Sequence, residues 1–228
     1  MRDREIDEIL KQAAHSAPGV DPAVLDRVAR SIGASLAPVR PLPPAGALAG
    51  GLVLICAAVA LAGAALLGLH GVQKLSVFED ALVFPVLGIL ICLTAKALAG
   101  EMIPGSRRRA APGVLLGVGS LALLAVFAFL FRDYRTDRFM AQGVACLTAG
   151  LLHAVPAALA SWWLLRRGFA VNSMAAGVAA GTLAGLAGVT MLELHCPNFQ
   201  ALHVMLWHTA VMPMCAAAGA LVARVARR

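Results

Sequence analysis

The chain has 228 residues, of which 60% are hydrophobic and 14% charged, and carries a formal net charge of +7. So few charges cannot cover a water-soluble domain of this length. The mean hydropathy of +0.82 and the gathering of apolar residues into long blocks point to an all-α integral membrane protein with a short cytoplasmic N-terminal tail.

Residues 1–45 form that tail. Ile6, Ile9, Leu10 and Ala13 recur at helical spacing among Arg, Asp and Glu, which predicts an amphipathic helix over about 4–14. Pro18-Gly19 ends it. Asp21-Pro22 then supplies an N-cap and a first-turn proline, and Val24, Leu25, Val28, Ile32 and Leu36 a second apolar stripe, over about 22–36. The run from Pro38 to Pro44 reads as a stiff extended spacer. Two such helices fall near the lower limit, roughly 40 residues, for a self-sufficient core. They are either disordered, or laid on the bilayer, or a docking arm that folds on a protein partner. The mixed charges of Arg2, Asp3, Arg4, Glu5, Asp7 and Glu8 weaken the lipid-surface option, which prefers a basic face. For a partner, the expected apolar anchors are Ile6, Ile9, Leu10, Val24, Leu25, Val28 and Ile32.

Six apolar blocks follow, at about 46–69, 81–99, 113–131, 139–165, 171–191 and 202–223, each near the roughly 20 residues a helix needs to cross the hydrocarbon layer. Long uncharged runs favour helices over barrel strands, which alternate in short segments. No cleavable signal peptide is visible, so Met1 is expected to remain. With the N-terminus inside, the inner segments hold six Lys/Arg in the tail, four from Lys96 to Arg109, Arg166, Arg167 and three at the C-terminus; the outer ones hold Lys74, Arg132, Arg135 and Arg138. The positive-inside rule therefore places both termini in the cytoplasm. The basic balance needs no nucleic-acid partner.

Within the blocks, Gly177, Gly181 and Gly185 form a small-residue ridge suited to close helix packing. The run from Gly117 to Ala122 superficially matches a dinucleotide fingerprint, but no strand precedes it. Lys96 is the one charge expected inside a span, close enough to the cytoplasmic end to snorkel. A transporter would show broken helices and midplane charges, and no nucleophile elbow, P-loop or paired intramembrane carboxylates suggest an enzyme.

The chemistry concentrates in Glu193-Leu194-His195-Cys196-Pro197-Asn198, followed by His203, Trp207 and His208. A turn at Pro197-Asn198 would bring the ends of the fifth and sixth spans together. Cys146, about two turns into the fourth span from the same side, would meet Cys196 if the fourth span packs beside the fifth; such a pair would bind metal or form a disulfide. Thiol, imidazole and carboxylate suit a soft or borderline metal ion such as copper or zinc. His153 shares a face with Cys146, and Met205, His208, Met212 and Cys215 share another; a neutral hydrogen-bonded imidazole and plain packing are the competing readings. Cys56 and Cys92 read as small buried hydrophobes.

The Ala37-Pro38-Val39-Arg40-Pro41 segment, six spans, a Cys-Pro pair after the fifth span and Trp207 in the sixth resemble the NrsF family of bacterial membrane anti-sigma factors, with the layout of the CarR-type factors of myxobacteria. The resemblance implies a tail that holds an extracytoplasmic-function sigma factor. It also implies a response to heavy metal or oxidant through one cysteine in the fourth span and one after the fifth, the places of Cys146 and Cys196. Glu193, His153, His195, His203 and His208 join this expected sensor from residue chemistry alone. The alternative expectation is a membrane haem- or copper-binding metalloprotein built on His153, His195, His203 and His208.

Overall fold

The structure is a computed structural model that describes residues 6–9, 11, 12, 21–35, 42–103, 105, 111–168, 170 and 172–226. The chain divides into two units, 1–41 and 42–228.

In the first unit, residues 6–9, 11 and 12 are helical, and a 14-residue helix, α1, runs Pro22–Ser35. The Asp21 carboxylate accepts the Ala23 amide at 2.9 Å, satisfying a first-turn donor that the helix leaves orphaned. Ile6, Ile9, Val24, Leu25, Val28 and Ile32 are all 40–55% exposed. Leu10, Ala13, Pro18, Gly19, Leu36 and the spacer residues 38–41 lie outside the described residues.

Among its described residues the second unit holds six helices long and apolar enough to cross a membrane: α2 Ala45–Leu67, α3 Val77–Glu101, α4 Pro112–Leu130, α5 Phe139–Leu165, α6 Ser173–His195 and α7 Ala201–Val225. No strand occurs among the described residues. Polar residues set several helix ends, so these do not coincide with the edges of the apolar blocks. α3 begins four residues early because Ser76 and Glu79 form a reciprocal capping box: the Ser76 hydroxyl accepts from the Glu79 amide, and the Ser76 amide donates to the Glu79 carboxylate at 2.7 Å. Glu79 and Asp80 also suit the positive end of the helix dipole. Asn172 caps α6 by accepting the Ala175 amide at 3.1 Å. At its other end α6 continues past residue 191, so the expectation that Lys96 is the one charge within a span is corrected. Glu193 lies inside α6 and is fully buried, a placement that hydropathy averaging cannot register because the carboxylate is held by a partner distant in sequence.

α6 is the centre of the bundle. Its apolar window is 78% buried, against 17–39% for the other five spans, and it packs against all of them. Small side chains make this possible. A Cβ at Gly185 would stand 2.6 Å from Met212 Cα, one at Gly188 2.5 Å from Gly150 O, and Gly177 and Gly181 abut the backbone of Gly219 and Cys215. The ridge thus lets α5 and α7 approach backbone to backbone. Larger residues fill the flanks, Leu52, Leu87, Leu123, Phe127 and Leu183 among them. Cys56 is buried, as expected, but Cys92 is exposed on the outside of the bundle, where an apolar side chain faces lipid without cost.

Candidate functional site

Three loops, 68–76, 131–138 and 196–200, meet at one end of the six-helix unit. The Gly71 and Val72 amides donate to Leu194 O at 3.0 and 3.2 Å, and the Ala201 amide to Asp133 O at 2.7 Å. Gly71 has to be glycine for this, since a Cβ there would meet Glu193 O at 2.5 Å. Lys74 Nζ donates to Pro197 O at 3.4 Å, and Asn198 Nδ2 to Gln142 Oε1 at 2.7 Å. These contacts fix the short 196–200 turn that reverses the chain from α6 into α7.

Beneath that turn the two thiols come together. Cys146 Sγ of α5 is 3.3 Å from Cys196 Sγ. Cys196 Sγ is also 3.6 Å from His203 Nε2. The ligand atoms of Cys146, Cys196, His203 and His208 all lie within 4.8 Å of one another. Cys196, His203 and His208 are buried and Cys146 is half-buried. The hydrogen bond shared with Cys146, and then burial, hold the Cys196 thiol above the usual thiol range, while His203 and His208 pull it the other way.

Glu193 closes the group from behind. Its Oε1 accepts the Nδ1–H of His208 at 2.7 Å, with both side chains fully buried. That bond fixes the tautomer and leaves His208 Nε2, which has no hydrogen-bond partner, facing the thiols. A buried carboxylate without such a partner would be strongly unfavourable. Local backbone makes the fit. Val204–His208 is a π-helical turn within α7, and one extra residue in a turn re-aims the side chains around it. His203 and His208 consequently meet edge to face, with ring centroids 5.2 Å apart. A regular helical spacing of five residues would have put them on different faces, which is why sequence periodicity could pair His208 with Met205 and Met212 but not with His203.

Of the other expected residues, His195 turns away: its Nδ1 is 2.9 Å from Gly68 O and its ring leans on His70. His153 bonds Ala149 O of its own helix at 2.8 Å, and its ring lies against Gly63 of α2. The four histidines therefore do not converge; His203 and His208 alone among them join the thiols. Trp207 packs on Gly143 and against the Phe139 ring at 5.5 Å between centroids. Reasoning from sequence missed Gln142 and Lys74, whose contacts with the turn span 56 and 123 residues.

An open polar cleft of about 370 Å³ lies over the turn, lined by Lys74, Asp137, Arg138, Gln142, Asn198 and Gln200. A larger cavity of about 690 Å³ between α5, α6 and α7 is lined by apolar residues such as Leu151, Trp162, Met214 and Val222 and holds none of the clustered donors.

A family model described as NrsF, negative regulator of sigma F, matches residues 33–228. No curated protein and no solved structure matches the chain.

Proposed function

The chain belongs to the NrsF family and is a negative regulator of a sigma factor; from that premise we propose a membrane anti-sigma factor that holds an extracytoplasmic-function sigma factor by its N-terminal segment and releases it when a metal or oxidative signal reaches the Cys146–Cys196 pair. The family match starts at residue 33, so the segment's role rests on its own residues. Val24, Leu25 and Val28 stand exposed on α1, an arrangement suited to helix-in-groove recognition. The distribution of Lys and Arg supports a bacterial inner membrane with both termini in the cytoplasm and the thiol pair on the far side. A regulatory rather than enzymatic role fits the family.

The observation that carries the sensing half is the 3.3 Å approach of two thiols, one in α5 and one in the turn that follows α6. A disulfide needs about 2.05 Å between sulfurs, so a small movement of α5 against the 196–200 turn joins them. The two thiols give up two protons and two electrons; a peroxide accepts both and leaves as alcohol and water. Coupling has a definite size. To drive the held state from 99:1 to 1:99, the signal must favour the releasing state by about 5.5 kcal/mol. A bond that locks α5 to the α6–α7 turn in one state only supplies a preference of that kind.

The test is to treat membranes carrying the full chain and its sigma factor with a peroxide or Cd²⁺ and follow the sigma factor by sedimentation. It should move to the supernatant with wild type and stay bound with Cys146→Ser or Cys196→Ser. Release that is the same in both variants would remove the thiols from the mechanism.

A further inference from the structure

Resting on the reading of the thiol pair as the signal-receiving site, we infer that Cys146, Cys196, His203 and His208 form a four-donor site for a soft or borderline divalent cation of the Zn²⁺ or Cd²⁺ class, with Glu193 as the positioning residue behind His208. The two histidines then separate the two kinds of signal: oxidation needs the sulfurs alone, and the cation draws on the histidines as well.

The dimensions agree with this. Zinc bonds of about 2.3 Å to sulfur and about 2.0–2.1 Å to nitrogen, set at a tetrahedron's corners, place neighbouring donors about 3.4–3.8 Å apart. The thiols are 3.3 Å apart, Cys196 Sγ and His203 Nε2 are 3.6 Å apart, and no pair of the four donor atoms exceeds 4.8 Å. Shifts of about 1 Å or less complete the coordination shell. The chemistry agrees as well. Two thiolates and two imidazoles are a common closed zinc set and suit cadmium equally.

The strongest sign is the pairing behind the donors. His208 Nδ1–H is held by the buried Glu193 carboxylate while Nε2 stands buried and unpartnered beside the sulfurs. A carboxylate behind a metal-binding imidazole orients the ring and raises its basicity. A structural ion pair would not need the other nitrogen aimed at two thiols. His203 Nδ1 lacks a hydrogen-bond partner, so His203 is the weaker of the two nitrogen ligands. A polar cleft over the 196–200 turn is lined by Pro197 and Asn198, which follow Cys196 in the chain.

Cobalt titration of the purified full chain in detergent tests this without any sigma factor, so its failure is separable from failure of the regulatory reading. Bound Co²⁺ should give the visible bands of a tetrahedral centre and the near-ultraviolet sulfur-to-cobalt band, saturating at a single ion per chain, with Cd²⁺ displacing it. Cys196→Ser should diminish the sulfur band, and Cys146→Ser together with Cys196→Ser should abolish it. His208→Gln should abolish tetrahedral binding, and His203→Gln should weaken it less. Glu193→Gln should weaken affinity about 10- to 100-fold while keeping the tetrahedral spectrum, which a merely structural role would not predict. Should His208→Gln fail to fold, as judged by gel filtration and helical circular dichroism, the bands of His203→Gln decide. No cobalt bands in wild type, or wild-type affinity and spectrum in the histidine variants, would overturn the site.

Discussion

Along the α6–α7 pair, the half near Ser173 and the half near His195 are held together by opposite means. In the first half, Gly177, Gly181 and Gly185 put the helix backbone directly against Gly219, Cys215 and Met212. The contact there is made by absence of side chain. In the second half, Glu193, Cys196, His203 and His208 fill the space between the same helices with polar groups joined pairwise, His208 to Glu193 and His203 to Cys196, while His208 Nε2 stays unpartnered. The lesson is that the glycine half sets a fixed spacing, and the polar half uses that spacing to hold donors at bonding distance from each other.

The contrast is broken most severely at Glu193. Glu193→Ala leaves His208 buried beside no carboxylate, and loss of one partner of a buried pair costs about 3–5 kcal/mol. Thermal unfolding in detergent should show it as a large fall in midpoint, with Glu193→Gln falling less. A wild-type midpoint for the alanine variant would mean that the polar half is not held by this pair. Next comes the ridge. Gly185→Ala drives a Cβ to 2.6 Å from Met212 Cα, which is backbone and cannot rotate away; the expected loss is about 1–3 kcal/mol. Gly117→Ala, with nothing within 4 Å of the added atom, should cost nothing by the same measurement. Equal effects at the two positions would refute the close-approach argument.

Ser76→Ala removes the capping box of α3, outside both halves, and should cost about 1 kcal/mol. The smallest effect is on reactivity. Cys196 is held above the usual thiol range, first by its hydrogen bond to Cys146 and then by burial. A raised thiol has less thiolate at neutral pH, so alkylation of Cys196 should be slow there and accelerate as pH rises. Cys146→Ala removes the larger cause and should move that acceleration to lower pH, as mass spectrometry of the modified site can follow. An unmoved profile would mean that burial alone controls the thiol.

The six spans were legible because each hydrocarbon crossing leaves a long apolar block, and the ridge because its four-residue period survives in the chain itself. The meeting of Cys146 with Cys196 was readable as one of the consequences of packing the fourth span beside the fifth. The depth of Glu193 was not readable: hydropathy treats a carboxylate as an end signal, whereas this one is hydrogen-bonded by His208, fifteen residues on. Nor was the joining of His203 to His208, since the π-helical turn that brings them edge to face departs from the regular period on which sequence reading depends. His195 stood next to Cys196 in sequence, and adjacency overstated it, because consecutive residues at a helix end point in different directions. The apolar stripe of α1 was legible at Val24, Leu25, Val28 and Ile32, while Leu10 lies outside the described residues.

The regulatory account stands on the N-terminal segment holding a sigma factor. The direct measurement is sedimentation of that sigma factor with membranes that carry the full chain, compared with membranes carrying the double variant Leu25→Glu, Val28→Glu at equal protein level. The account predicts that the sigma factor pellets with wild type and is left in the supernatant by the variant; pelleting that is the same with both, or absent from both, would contradict it.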